Sequence, residues 1–216
     1  MRRCAPGLPL APGARRVGWP TGEASLIDIS APDALAILQR VVASLRRQRV
    51  PYAVVGAWAL GAWGRPRGTG DLDLLVFVDA ARLDPLAARM AGSGLAVDET
   101  WMEWNPMLRG QQVRFDADGI AIDLMRPRDD HDRQVLRHRC KRRVGRNYYW
   151  FVSPADFILQ KLKLGRPRDF EDALTVWERS RSQLRRTYLH RWARRLGIVA
   201  ELTYVEQQLT HRSPRR

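Results

Sequence analysis

Lysine is scarce in this chain: of 37 lysines and arginines, only Lys141, Lys161 and Lys163 are lysines. Cysteine is nearly absent too. Cys4 and Cys140 are the only two, which excludes a disulfide framework and leaves no metal-ligand spacing. A reducing compartment, the cytoplasm, is expected. No apolar run approaches the roughly 18 to 20 residues of a membrane span, so no membrane partner is expected. The first residues carry Arg2 and Arg3 and then Ala, Pro and Gly instead of a sustained apolar stretch, so a secretory signal is not expected. Acid is in short supply as well, 23 side chains against 37 basic ones, for a net charge of +14. That excess suits a polyanion such as RNA or an anionic substrate, because the planar arginine fork matches phosphate. An arginine-rich solvated surface gives the same number, so charge alone does not separate the two.

What is present is a chain of 216 residues, 45% hydrophobic, enough for one domain or for a small catalytic domain with a helical appendage. Residues 1–22, rich in Pro, Gly and Arg, read as a tail. Ser30, with Asp33 three residues on, reads as a helix start, and Leu35, Leu38, Val42 and Leu45 follow at helical spacing up to about Arg49. Tyr52–Val55 reads as a strand, 57–63 as a short helix, and 64–70 as a Gly/Pro loop. Residues 71–78 give the clearest strand, on Leu72, Leu74 and Val76, followed by a helix over 83–91. The stretch 95–110 is ambiguous. Residues 113–115 and 120–124 flank Asp118-Gly119, a hairpin signal. The basic stretch 126–146 reads as a loop, and 148–152 as a further strand. After Ser153-Pro154 the pattern becomes helical, over 154–164, 170–179, 183–196 and 200–209. The expected class is α+β, with residues 23–152 as a catalytic domain and 153–216 as a helical region.

The chemistry sits in the run VVGAWALGAWGRPRGTGDLDLLV, which begins at Val54. In a strand, residues two apart face the same side, so Asp71 and Asp73 point together while Leu72 and Leu74 turn to the core. Like charges side by side call for a cation, and magnesium takes one or two carboxylates plus substrate phosphates. A solvated strand face carries the same Asp-x-Asp by chance. Gly56, between a strand and a short helix, leaves room for an anion to approach the helix start, although a plain turn uses glycine equally well. Asp123 interrupts the apolar strand Ile120–Leu124. It needs a partner or a metal unless the strand lies at an edge and faces water.

Taken together, these residues resemble the nucleotidyltransferase superfamily of the DNA polymerase β type, and among its members the minimal bacterial nucleotidyltransferases, including the AbiE-type toxins of type IV toxin–antitoxin systems. Gly56, Asp71, Asp73 and Asp123 occupy the places of the family's glycine and three aspartates, and Arg67 and Thr69 match its loop. Downstream, Ser153-Pro154, the run Leu159 to Leu162, Gly165-Arg166 and the run Arg168 to Asp172 add to the likeness, which spans about residues 35–175. Ala57 departs from it, standing where the family has a second Gly or a Ser. The backbone N–H survives there, but a hydroxyl is lost.

The resemblance implies a mixed β-sheet flanked by helices, followed by a helical part. It implies transfer of a nucleoside monophosphate from an NTP, with two Mg²⁺ ions on Asp71, Asp73 and Asp123 and with Asp123 as general base. Gly56 and Ala57 would cradle the outer phosphates, Lys161 would neutralise phosphate charge, and Arg67 and Thr69 would orient the loop or touch phosphate. The acceptor would be a tRNA or other RNA, a protein or a small molecule, and a cognate toxin or antitoxin is an implied partner. A catalytically inactive NTP- or RNA-binding module of the same fold is the alternative.

Asp169 and Asp172 read foremost as helix-capping acids. Arg137, Arg139, Lys141, Arg142, Arg143 and Arg146 suit either a solvated loop or an RNA backbone. Trp101 and Trp104 are expected in the core, with stacking on a ring as the other reading. His131 and His138 are given no role.

Overall fold

The computed structural model describes residues 32–65 and 71–212, so the expected tail and the cap at Ser30 lie outside the described residues. Helix α1 (Pro32–Arg47) turns Leu38, Val41, Val42 and Leu45 inward. Strand β1 (Tyr52–Val54) leads straight into α2 (Gly56–Trp63), whose helical run is apolar on nearly every side and is buried accordingly. Then come β2 (Asp71–Val76), α3 (Ala80–Ala91), the short β3 (Ala96–Val97), α4 (Glu99–Trp104) and a 3₁₀ turn at Pro106–Leu108. Strands β4 (Gln112–Ala117) and β5 (Ile120–Met125) form the expected hairpin. Asp118 and Gly119 both take left-handed φ, 55° and 79°, the geometry that a two-residue turn needs to match strand twist.

The sequence reading fails over 126–146. In place of a loop the chain forms α5 (Asp130–His138) and β6 (Cys140–Val144), the latter paired with β7 (Asn147–Phe151). Arginine density hides both elements. Helix α5 buries only His131, Asp132, Val135 and Leu136, too few apolar positions to show a period. Strand β6 buries only its ends, Cys140 and Val144. Gly145, at φ 58°, supplies the turn between β6 and β7. The ambiguous 95–110 stretch resolves into β3, α4 and the 3₁₀ turn, and the core placement expected for its tryptophans does not hold. Trp104 is 81% exposed and Trp101 only half-buried.

The described strands form one mixed sheet in the order β3-β4-β5-β2-β1-β7-β6. The central strand β2 runs parallel to its neighbour β5, and β7 runs parallel to β1. The other pairs are antiparallel. Leu72, Leu74, Ile122 and Leu124 have no exposed surface, and each contributes about 2 kcal/mol by burial. The fold class is therefore α+β, as expected.

The four C-terminal helices follow as α6 (Pro154–Leu164), α7 (Pro167–Ser180), α8 (Arg186–Leu196) and α9 (Val199–Arg212). Ser153 caps α6 through its hydroxyl, and Gly165 ends the helix in the left-handed region. One apolar cluster runs from Ile37 in α1 through the sheet to Leu202 and Val205 in α9. Among the described residues no helix is long and apolar enough to cross a membrane.

Candidate active site

The parallel register of β2 on β5 sets Asp73 directly beside Asp123. Neighbouring strands lie about 4.8 Å apart, so two carboxylates are placed side by side on one face. Asp71 lies two residues earlier, at the exposed start of β2 on that same face. Val55 N–H donates to the Asp73 carbonyl (3.0 Å), which ties the start of α2 to the aspartate strand.

Gly56 sits at φ 60°, and a side chain there would collide with Asp73. A Cβ at this position would stand 2.8 Å from the Asp73 Cγ and overlap Oδ2. Sequence reasoning assigned that glycine to phosphate approach. The structure shows that the Asp73 carboxylate also approaches closely there. Ala57 follows as a buried residue of α2, whose N-terminus receives no side-chain cap.

The electrostatics of the three acids differ. Burial first, then Asp123, then Asp71 push the Asp73 carboxyl up to about 6, against smaller opposing effects of Lys161 and Arg114. Asp123 is 6% exposed on an interior strand, so the edge-strand alternative does not apply. Its partner is Arg114 of β4, with Nε on Oδ1 at 2.8 Å and Nη2 on Oδ2 at 2.7 Å. Asp123 raises Arg114 further above its ordinary range by this pairing. The guanidinium also lies 4.5 Å from the centroid of the Trp101 ring. Arg114 and Trp101 thus form a chain from α4 to the carboxylates. The signal for Arg114 was available in the hairpin. A two-residue turn at Asp118-Gly119 places Arg114 opposite Asp123 by counting outward.

Lys161 is 7% exposed, with Nζ 2.9 Å from Asp169 and 2.8 Å from Asp172. Asp169 also accepts from the Arg166 N–H (3.4 Å) as part of a capping box at the start of α7. The two acids thus hold the lysine, and the lysine's charge reaches Asp73. Arg67 and Thr69 lie outside the described residues.

Among the described residues no group of three or more His, Cys, Asp or Glu side chains could hold a metal ion unaided. Asp73, pushed up by burial and by the acids beside it, still suits a cation that is shared with substrate phosphates. Asp123 retains two of its four lone-pair sites beyond those used by Arg114. The donor set therefore fits magnesium held jointly with a triphosphate.

The basic run 137–146 does not form one patch. Arg142 donates to the Ala62 carbonyl (3.0 Å) and stacks 4.2 Å from the Trp63 ring centroid, while Arg139 stacks on Trp150 at 5.0 Å. Burial lowers both guanidinium groups. Arg137, Lys141, Arg143 and Arg146 stay exposed. His131 and His138, given no role from the sequence, both reach the buried Asp156 of α6, at 3.3 and 3.6 Å.

No protein-family model and no curated protein matches the chain. Some solved structures resemble it. The lincomycin-bound lincosamide antibiotic adenylyltransferase LnuA is 11% identical, with a TM-score of 0.46 over 68% of this chain and 96% of that one. The antibiotic-resistance factor ANT(2'')-Ia is 12% identical, with a TM-score of 0.49 over 83% and 97%. Terminal uridylyl transferase 4 from Trypanosoma brucei, with bound CTP, is 15% identical, with a TM-score of 0.37 over 72% and 51%. At these identities and scores the likeness stops short of assigning an activity.

Proposed function

We propose that the chain is a metal-dependent nucleotidyltransferase that moves a nucleoside monophosphate from an NTP to a hydroxyl of an RNA, a protein or a small molecule. One observation carries the reading: Asp73 stands in register with Asp123 on adjacent parallel strands, with Gly56 packed against it at the start of a helix. Asp71 and Asp73 would hold Mg²⁺ together with the triphosphate, and Asp123 would complete the set. The ion, when bound, neutralises phosphate charge and acidifies the acceptor hydroxyl. The uncapped amides at Gly56 and Ala57 face the outer phosphates. Lys161, supported by Asp169 and Asp172, adds positive charge behind them. Arg67 and Thr69, just upstream of Asp71 in the sequence, would orient the triphosphate or touch its phosphates.

In the reaction the acceptor oxygen bonds the α-phosphorus as the bond to pyrophosphate breaks, and the hydroxyl proton passes to Asp123. Arg114 fixes that carboxylate in orientation through two hydrogen bonds. The test is transfer from each of four labelled NTPs, with Mg²⁺, onto whole-cell RNA, protein and small molecules. Labelling with pyrophosphate release that is lost in Asp73→Asn is expected. No label in any fraction, with Asp73→Asn equal to wild type throughout, would end this reading. The family likeness adds a cognate toxin or antitoxin partner, which co-purification with the product of an adjacent gene tests.

One observation favours a second reading, an inactive NTP- or RNA-binding module. Both oxygens of Asp123 are already engaged by Arg114. NTP binding without pyrophosphate release is its signature.

A further inference from the structure

Between Glu178 and Glu201 the chain carries seven arginines and no acid. Helix α8 lies in this interval. It buries Leu189, Trp192 and Ala193. At 100° per residue the opposite arc therefore holds Arg191, Arg194 and Arg195, all exposed. Two acids that touch this helix are engaged by its own side chains. Glu206 of α9 pairs with His190 at 3.2 Å, and Asp156 is fully buried beneath Tyr188. Among the described residues no carboxylate pairs with any of these three arginines. Arg191 and Arg195 stand four residues apart, a like-charge spacing that costs a few tenths of a kcal/mol without a counter-charge.

Two of the guanidinium groups are also held in place. Arg195 lies 4.7 Å from the centroid of the buried Trp192 ring, and Arg191 lies 5.5 Å from that of Tyr188. A guanidinium laid on an aromatic face keeps its N–H fork turned outward and loses less freedom on meeting a phosphate. A membrane surface is a poorer match. An interfacial helix offers its apolar face to lipid, and the apolar face of α8 is spent on the core.

We propose that the outward face of α8 is a docking surface for the phosphate backbone of an RNA. The choice of RNA rests on the nucleotidyl-transfer reading, in which RNA is one acceptor class. The docking itself needs no nucleotide and no catalytic aspartate. The measurement is fluorescence anisotropy with a labelled RNA stem-loop, without NTP, across a salt series. The variant Arg191→Gln/Arg194→Gln/Arg195→Gln is expected to bind about tenfold more weakly, with a log–log salt slope shallower by about 2 for three lost phosphate contacts. The corresponding triple lysine variant, which keeps the charge, is expected to keep the slope.

Lys141→Gln/Arg143→Gln/Arg146→Gln, on the β6–β7 hairpin, is expected to change affinity less than threefold. Asp73→Asn is expected to bind like wild type, so loss of transfer and loss of docking are read separately. Circular dichroism checks that each variant is folded. The proposal is overturned if the glutamine triple binds like wild type, or if the hairpin triple loses more than it does. Equal binding to duplex DNA, or binding to phosphatidylserine vesicles in place of RNA, also overturns it.

Discussion

Two carboxylate sites in this molecule are built on opposite terms. Asp156, on α6, has no exposed surface and more partners than it needs. The Ser153 hydroxyl donates at 2.6 Å, the Tyr188 hydroxyl at 2.5 Å, and His131 and His138 stand at 3.3 and 3.6 Å. Burial alone would raise its carboxyl, but the bonds from the two histidines outweigh that and hold it well below the usual range. The Tyr188 hydroxyl is pushed far up, by burial first and then by the charge it touches. Asp73, on β2, is only partly buried, its acidic neighbours on the sheet are Asp123 and Asp71, and its carboxyl is pushed up. One site spends its polar groups on locking α5, α6 and α8 together. The other sets Asp73 beside two further acids, where under the proposed reading a cation and a triphosphate would meet it. A folded chain tolerates such a grouping only where something else repays it.

Breaking the satisfied site should cost most. Asp156→Ala strands the His131 ring and the Tyr188 hydroxyl in the interior. It is expected to destabilise by about 4 kcal/mol in urea unfolding. A loss under about 1 kcal/mol would show that the cluster does not lock the helices.

The Asp73 site should respond with the opposite sign. Asp73→Asn removes a charge that folding disfavours, and is expected to stabilise by about 2 kcal/mol at pH 8 while abolishing transfer. The sign follows from the raised carboxyl. Below about pH 4 the acid is protonated in both folded and unfolded chains, and the variant gains nothing. As pH rises to about 6 and beyond, only the wild type bears the penalty. The gain therefore grows across that window, and added Mg²⁺ should narrow it. A gain that is flat from pH 4 to 8 in thermal melts would contradict the raised carboxyl.

The smallest effect belongs to a pair of neither kind. Lys163 meets Asp129 at 2.6 Å and Asp132 at 3.4 Å, partly exposed. Lys163→Ala is expected to cost less than about 1 kcal/mol, and less still at high salt. A larger loss would place this pair with Asp156.

The divide between what sequence reasoning reached and what it missed follows the range of the interactions. The strand with its period-2 leucines, the Asp118-Gly119 hairpin, the change to helix after Ser153-Pro154 and the last four helices are specified within a few residues, by turn chemistry and periodicity. They were legible for that reason. Helix α5 and strand β6 were not, because their few buried residues are recognised only against α6 and β7. Trp104 was misplaced because an aromatic residue carries no local mark of which way it faces.

The sequence by itself determined that Asp71 and Asp73 share a face, since alternation along a strand is a property of the backbone. It also placed Gly56 at the turn from a strand into a short helix. Only the tertiary structure decided what these residues meet. The parallel pairing of β2 with β5 brings Asp73 beside Asp123, and the turn into α2 brings Gly56 against Asp73. It likewise decided that Asp123 answers to Arg114, that Lys161 is shared between two acids of the next helix, and that the arginines of α8 face outward. Those are contacts across the fold, made by groups whose distance in the chain says nothing of their distance in space.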